Sequence, residues 1–310
     1  MQSNKSCPII EQYLAYLITV KGRSPNTISE YRLDLLQFLC YIADSRGYTR
    51  ADFSFADLDF IRSIRLDDMY AFLAYCQETL NAAPGTRYRK IVSMRQFWKY
   101  LKTKVHLIDN NIAEELETPK LPKRNVRTLT LEESVRLLIQ AKSCSARDDC
   151  IITIFLNCAL RLSELASLNI AQVDSDVISI IGKGNKERKI YLTPAVKQSL
   201  SKWLAIRSTL KVDCNALFIS RNRGRLTTRS IQNVVKKHII AAGINPEGLS
   251  THKLRHTAAT LMYKYGHVDI RSLQQILGHE SIATTEIYTH VDDRQLQAAV
   301  NANPLAMMFN

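Results

Sequence analysis

Six residues in the second half of the chain have side chains that can bind anions, transfer protons or act as a nucleophile. Arginine holds anions, lysine and histidine exchange protons, and tyrosine can attack an electrophile once its proton is removed. The pair His252 and Arg255 lies three positions apart and shares a face if the segment is helical. Singly, each of the six has an ordinary structural explanation as a surface, ion-paired or packed residue. The candidates are Arg161, Lys183, His252, Arg255, His279 and Tyr288.

A zinc site is the alternative chemistry for this region. His252 and His256 lie four positions apart, as do the histidines of the H-E-x-x-H zinc helix. The residue after His252 is Lys253, which cannot serve as the base of that motif and repels a cation. The seven cysteines form no C-x-x-C pair and are odd in number, so we expect buried thiols rather than disulfides or a structural zinc site. We therefore predict no metal.

The composition predicts a folded protein with a polyanionic partner. Of its 310 residues, 46% are hydrophobic and 23% charged, which excludes disordered, collagen-like and coiled-coil proteins. The longest apolar run, 150–160, is far shorter than the ~20 residues that span a bilayer. No signal peptide is recognisable, so we expect no membrane contact and a cytoplasmic location. The net charge is +13, and residues 121–310 carry 26 basic against 15 acidic side chains, which favours nucleic acid.

The segment 86–103 is predicted to be a helix that binds DNA phosphates. No acidic residue occurs between Glu78 and Asp109, while aromatic residues alternate with the basic ones. The alternative is a solvated basic face, and in either case we expect the aromatic side chains to lie in the core. The predicted DNA-binding residues are Arg87, Arg89, Lys90, Arg95 and Lys99.

Apolar periodicity and turn signals predict two domains. The first, residues 1–118, is all helical, with helices near 10–20, 27–43, 66–80 and 86–103. A proline-containing, charged linker covers 119–127. The second domain, residues 128–310, starts helical over 130–168, with Thr130 as cap and Glu133 three residues later.

The rest of the second domain is predicted to contain both strands and helices. Two strands, 177–181 and 189–192, form a hairpin around a glycine-bearing turn, and a further short strand covers 217–219. Helices follow Thr228 and Ser250 and cover 271–277; they end near Gly243, Gly266 and Gly278. A last helix begins near Asp293. The fold class is therefore mainly α with a small antiparallel β-sheet.

The order of the six candidates and the motifs around them closely resemble those of the tyrosine site-specific recombinases, also called the phage integrase family. The resemblance covers nearly the whole chain, including the helical first domain and the linker. One departure is Ala159, where the family often has glycine two residues before the arginine. The motifs are R-x-x-E-L at 161–165, G-K-G-x-K-x-R at 182–188, H-x-L-R-H at 252–256, L-G-H at 277–279 and T-x-x-Y-T-H at 285–290.

The resemblance implies a covalent reaction at a DNA phosphate. Tyr288 would attack the phosphorus and leave a 3′-phosphotyrosyl bond with a free 5′-hydroxyl, which conserves the phosphodiester energy. Arg161 and Arg255 would hold the non-bridging oxygens, because a guanidinium fork matches phosphate geometry. The arginines would take the place of a metal.

Proton transfers complete the implied mechanism. Lys183 would protonate the leaving 5′-oxygen as general acid, and His252 would help accept the Tyr288 proton. His279 would donate a hydrogen bond to the phosphate. We expect the two histidines to give the mildest variants. The reaction would need no cofactor.

The resemblance also implies an assembly on duplex DNA with a short inverted repeat. The helical first domain and the mixed α/β catalytic domain would form a clamp around the duplex, and four protomers, identical or of two kinds, would act together. The apolar tail 303–310 would dock on a neighbouring protomer or fold back on its own domain.

The chain begins almost at once with its first helix, which favours a simple recombinase resembling the Xer type over one with an extra arm-binding domain. Transposon and integron recombinases have the same build. Two alternatives come from other classes. A type IB topoisomerase would relax DNA without sequence preference, and a catalytically silent DNA-binding protein would leave its site uncut.

Overall fold

The structure is a computed structural model that describes residues 7–48, 56–120, 127–173, 176–181, 187–266, 268–278 and 285. The chain divides into two compact units, Met1–Arg124 and Asn125–Asn310. Each unit has its own hydrophobic core. Among the described residues, no helix is both long and apolar enough to cross a membrane.

The first unit is a small bundle of helices. Proline stands at the beginning of three of them, where its fixed φ favours a helix start and its missing N–H costs nothing. Its elements are α1 Pro8–Thr19, α2 Pro25–Ser45, α3 Leu58–Ser63, α4 Leu66–Glu78, α5 Pro84–Thr103 and a 3₁₀ turn at Ile112–Glu115. The four predicted helices are confirmed. The sequence did not predict α3, because six residues are too few to display a helical period.

Aromatic side chains fill the core of the first unit. Phe97 and Trp98 of α5 are buried, and Phe38 of α2 packs edge-on against Trp98 with ring centroids 5.8 Å apart. The ring centroids of Tyr13 in α1 and Phe97 are 5.3 Å apart. The prediction that the α5 aromatics belong to the core is confirmed for Phe97, Trp98 and Tyr100, whereas Tyr88 is exposed.

In its described residues, the second unit is mainly helical with one two-stranded antiparallel sheet. Its predicted start is confirmed, since Thr130 Oγ1 accepts the Glu133 backbone N–H and the Glu133 carboxylate accepts the Thr130 backbone N–H. Its elements are α6 Leu131–Lys142, α7 Ala146–Cys158, α8 Leu162–Ser167, β1 Val177–Ile181, β2 Glu187–Tyr191, α9 Pro194–Thr209, α10 Thr228–Ala241, α11 Thr251–Gly266 and α12 Ile270–Leu277.

Helix α7 forms the centre of the second unit. It is apolar around most of its circumference, and a helix of that kind must be enclosed on all sides. Its residues from Cys150 to Phe155 are buried, and α6, α9 and α11 pack around it. Helix α7, from which the chain continues to Arg161, is therefore held by packing on several sides.

Two predictions for the second unit need correction, and one helix was not predicted. Residues 217–219 do not form a strand. An isolated bridge joins Ile219 to Arg225, and another joins the preceding Ala216 to Asn169, because the partners are loop segments. Strand β2 starts at Glu187, two residues before its predicted start, because Glu187 still pairs with Ile181. Helix α9 was not predicted, although the Thr193 cap before Pro194 is a recognisable start signal.

The cysteines are all free thiols. The expectation of buried thiols is confirmed for Cys7, Cys76, Cys150 and Cys158, whereas Cys144 is exposed. Burial raises the pKa of the Cys158 thiol to about 12, which makes it unreactive at neutral pH.

Candidate active site

The turn between α7 and α8 positions Arg161. Ala159 ends α7 in the left-handed conformation, with φ of 50°, and this turns the chain sharply away from the helix axis. Arg161 then caps α8 from an extended conformation, and its backbone N–H donates to Glu164 Oε2 at 2.8 Å. The left-handed turn explains in physical terms why glycine suits position 159.

The Glu164 carboxylate is the centre of an arginine cluster. It accepts hydrogen bonds from Arg161 Nη1 at 2.8 Å and from both terminal nitrogens of Arg188 at 2.9 and 2.8 Å. Arg255 Nη1 lies 3.9 Å from Glu164 Oε2. Burial alone would raise the pKa of Glu164, but the hydrogen bonds from Arg188 and Arg161 lower it from 4.5 to about 2. Glu164 is therefore ionised and balances the nearby positive charges.

The C-terminal end of α12 holds two of the guanidinium groups. Arg161 Nη2 donates to the Gly278 carbonyl at 2.8 Å, and Arg255 Nη2 donates to the Leu277 carbonyl at 2.5 Å. Arg255 Nη1 also donates to the Ala159 carbonyl at 2.6 Å. The last carbonyls of a helix carry partial negative charge and lack partners within the helix, so cations are stabilised there.

Arg161 and Arg255 differ in exposure. The Arg161 side chain is 39% exposed, whereas Arg255 is only 1% exposed. The predicted pair of arginines is thus brought together around one carboxylate and one helix end. Arg161 is the more accessible of the two.

His252 lies one turn before Arg255 on α11. It is exposed, whereas His256 is buried, and their Nε2 atoms are 3.0 Å apart. A contact of that length requires one nitrogen to donate and the other to accept. Partial desolvation, together with the charges of Arg255, Lys253 and Arg161, lowers the pKa of His252 below its usual 6.5. A neutral His252 at pH 7 can accept a proton.

Three of the predicted site residues, Lys183, His279 and Tyr288, lie outside the described residues. The structure adds two residues to the site that the sequence reasoning did not assign a role: Glu164 and Arg188. Both stand within motifs of the resemblance, at the fourth position of R-x-x-E-L and the last of G-K-G-x-K-x-R. The capping-box spacing of Arg161 and Glu164 was a signal for the first.

The basic residues predicted to bind DNA on α5 are placed in different ways. Arg89 pairs with Glu30 at 2.8 Å and with Asp34 at 2.5 Å. Arg95 donates to the Leu116 carbonyl. Arg87 is half-buried and Lys99 is exposed.

Lys90 corrects one of these predictions. It is 5% exposed, and its ammonium donates to Asp34 Oδ1 at 3.0 Å and to Gln37 Oε1 at 2.5 Å. Asp34 itself is 1% exposed. A buried ion pair of this kind holds the unit together, and it withholds the Lys90 ammonium from any phosphate outside.

His252 and His256 do not belong to a larger set of metal-binding side chains in the described part of the chain. No three His, Cys, Asp or Glu residues there lie close enough together to hold a metal ion.

Two family models match this sequence. Residues 127–295 match the phage integrase family, and residues 10–104 match the phage integrase N-terminal SAM-like domain. The tyrosine recombinase XerC of Caldanaerobacter subterraneus subsp. tengcongensis is 46% identical over 315 residues, which cover 99% of this chain and 89% of that protein.

Solved structures show the same fold. XerH site-specific recombinase bound to its difH substrate, in a pre-cleavage complex, matches with a TM-score of 0.71 and 24% identity over 96% of this chain and 86% of that one. A lambda integrase tetramer bound to a Holliday junction matches with a TM-score of 0.65 and 17% identity, covering 88% of this chain and 76% of that one.

Proposed function

This chain belongs to the phage integrase family and is a tyrosine recombinase, and on that premise we propose that it cleaves and rejoins duplex DNA at a short inverted repeat through Tyr288. The covalent product is a 3′-phosphotyrosyl bond. Residues 128–310 form the catalytic domain, and residues 1–118 contribute to binding the DNA site.

The observation that carries the proposal is the shared anchoring of Arg161 and Arg255. Both guanidinium groups lie against the Glu164 carboxylate and the end of α12, although they come from distant parts of the chain. Preorganised cations of this kind stabilise the charge that develops on a phosphate during substitution. In our proposal they bind the two non-bridging oxygens, and DNA binding makes Arg255 accessible.

The reaction exchanges one phosphate ester for another. The Tyr288 oxygen bonds to phosphorus as the bond from phosphorus to the 5′-oxygen breaks. His252 takes the phenol proton, for which its lowered pKa suits it, and Lys183 gives a proton to the 5′-oxygen. His279 donates a hydrogen bond to the phosphate. Rejoining reverses these steps with an incoming 5′-hydroxyl, so no cofactor is consumed.

Binding to DNA uses basic residues of both domains. In the first domain we propose Lys99, on the exposed side of α5, together with Arg87. Arg89 and Arg95 remain candidates that would have to leave their present partners. Phosphate contacts of this type orient a protein on duplex DNA.

Recombination involves four protomers on two DNA sites, of one kind or two. The lambda integrase tetramer on a Holliday junction supports this stoichiometry by its shared fold. The tail 303–310, which lies outside the described residues, docks on a neighbouring protomer through its apolar side chains. We propose two alternative biological roles. One is the resolution of DNA dimers, as by Xer recombinases, and the other is the integration or excision of a mobile element.

The test is to denature host cells that express the protein, recover DNA that remains covalently attached, and sequence it beside a Tyr288→Phe control. Adducts at one short inverted repeat are expected, and they vanish in the control. Adducts scattered over the genome would instead indicate a topoisomerase. The position of the repeat, on the chromosome or at the ends of a mobile element, distinguishes the two biological roles.

A further inference from the structure

Arg188 lies two residues after the segment 182–186, which contains Lys183. It is the second residue of β2 and pairs with Ile180 of β1. Residues 182–186, which include Lys183 and lie outside the described residues, connect β1 to β2 in the sequence. The Arg188 side chain is 15% exposed, whereas Glu187 and Lys189 on either side are exposed. Arg188 therefore faces the interior of the unit at the end of the strand pair nearest residues 182–186.

A bidentate pair of hydrogen bonds joins this end of β2 to α8. Both terminal nitrogens of Arg188 donate to Glu164, at 2.9 and 2.8 Å, and a planar guanidinium binding both oxygens of a carboxylate fixes orientation as well as distance. The same carboxylate accepts Arg161 Nη1 at 2.8 Å. One carboxylate thus connects the hairpin to the arginine that we propose holds the scissile phosphate.

Helix α12 closes the other side of the Arg188 side chain. A Cβ atom added to Gly278 would lie 2.9 Å from Arg188 Nη1 and 3.1 Å from its Cζ. Gly278 also accepts the hydrogen bond from Arg161 through its carbonyl. The guanidinium of Arg188 is therefore confined between Glu164 and the end of α12, within the group of residues that positions Arg161.

We infer that Arg188 is a positioning residue for proton transfer to the leaving group. It fixes the end of the β1–β2 hairpin, and with it Lys183, relative to the phosphate held by Arg161 and Arg255. The inference rests on the proposed function. The step served is the transfer of one proton from the Lys183 ammonium to the 5′-oxygen as that oxygen separates from phosphorus and Tyr288 takes its place.

A substrate with sulfur in place of the bridging 5′-oxygen isolates this step. A thiolate is a good leaving group and departs without a proton, so cleavage of the sulfur substrate does not need the general acid. Cleavage rates on the sulfur and oxygen substrates are measured in single turnovers with full-length protein and the inverted repeat recovered from cells. Their ratio is internal to each variant, so a partly misfolded preparation does not distort it.

The variants are Arg188→Gln and Arg188→Lys, of which the second keeps the charge but loses the planar fork. We expect oxygen cleavage to fall on the order of ten- to a hundredfold, as a misplaced catalytic group would cause. The ratio of sulfur to oxygen rates should rise by a similar factor. Lys183→Ala should raise the ratio more strongly, and Arg161→Ala should slow both substrates alike. Lys189→Gln, which removes a charge from the exposed side of the same strand, should leave the ratio unchanged.

The outcomes separate the inference from the proposed function. A raised ratio in Lys183→Ala with an unchanged ratio in both Arg188 variants would overturn the positioning role alone. An unchanged ratio in Lys183→Ala would remove the proposed general acid and the inference together. Loss of cleavage on both substrates in the Arg188 variants, in the pattern of Arg161→Ala, would assign Arg188 to phosphate binding instead.

Discussion

Arg161 and Gly278 stand 117 positions apart in the chain and are joined by a hydrogen bond of 2.8 Å from Nη2 to the carbonyl oxygen. The bond ties the start of α8 to the end of α12. Gly278 adopts a left-handed conformation with φ of 61°, which directs its carbonyl to the guanidinium and leaves the room that Arg188 occupies. The site is thus built on a backbone turn that only glycine fits without strain.

Gly278→Ala should therefore reduce both stability and cleavage. The left-handed conformation costs a residue with a Cβ about 1–2 kcal/mol, and the added atom displaces the Arg188 guanidinium. We expect cleavage to fall by at least roughly tenfold, since displaced positioning groups cost that much or more. The measurement is the free energy of unfolding together with the single-turnover cleavage rate.

Gly243→Ala is the matched control for this glycine. Gly243 ends α10 with φ of 68°, and nothing lies within 4 Å of an added Cβ. It should lose similar stability without losing cleavage. Equal loss of cleavage in the two variants would show that general destabilisation, rather than the contact with Arg188, explains the effect.

Glu164→Gln should remove a stabilisation that depends on pH. Lowering the pKa of Glu164 from 4.5 to about 2 corresponds to about 3 kcal/mol of stability. Because the folded-state pKa is the lower one, this contribution is present above pH 4.5 and is lost as the pH falls towards 2. The unfolding free energies of the two proteins should differ at pH 7 and converge in acid. A difference that persists at pH 2 would contradict the ion-pair explanation.

Lys90→Ala should reduce stability, whereas Lys99→Ala should reduce DNA binding. Removing Lys90 leaves the Asp34 carboxylate buried beside fewer partners, and breaking a buried pair costs about 3–5 kcal/mol. Removing the exposed Lys99 should leave stability unchanged and reduce the slope of log affinity against log salt by ~0.9 for one lost phosphate contact. Denaturant unfolding and DNA titrations at several salt concentrations test both. An unchanged slope for Lys99→Ala would indicate that the basic face of α5 is solvated and does not bind DNA phosphates.

The cleavage rate should fall when the pH drops below the pKa of His252. That pKa lies below 6.5 because of partial desolvation and the charges of Arg255, Lys253 and Arg161. Protonated His252 cannot accept the Tyr288 proton, so the loss is on the acid side. His252→Gln should lower the rate by about 100-fold, the low end for general-base catalysis, and should abolish the acid limb. A rate that rises in acid would assign His252 as a proton donor.

The sequence predicted most of the helices, the pairing of the two strands and the two site arginines because these follow from local periodicity and motif spacing. The burial of Lys90 in an ion pair with Asp34 could not be predicted from such signals. Lys90 and Lys99 look alike in the sequence of α5, and only the packing of α2 against α5 places Asp34 beside one of them. Burial of a charge depends on a partner 56 positions away, which local patterns do not reveal.

The contacts of Glu164 with the site arginines also depend on tertiary packing and could not be predicted from local sequence. Its spacing from Arg161 signals a helix cap, and that cap is present. Its contacts with Arg188 and Arg255 come from β2 and α11, so they depend on how those elements pack. The sequence thus gives the identity of the residues that act on the phosphate, and the tertiary structure supplies the carboxylate that holds them.

Identifying the amino acid that carries the DNA tests directly whether Tyr288 is the nucleophile. The protein is incubated with its recovered inverted repeat, denatured and digested with nuclease and protease, and the nucleotide-linked peptide is sequenced by mass spectrometry. We predict a 3′-phosphate on Tyr288. Linkage to another tyrosine, such as Tyr191 or Tyr265, both exposed, or Tyr263, would show that Tyr288 is not the nucleophile.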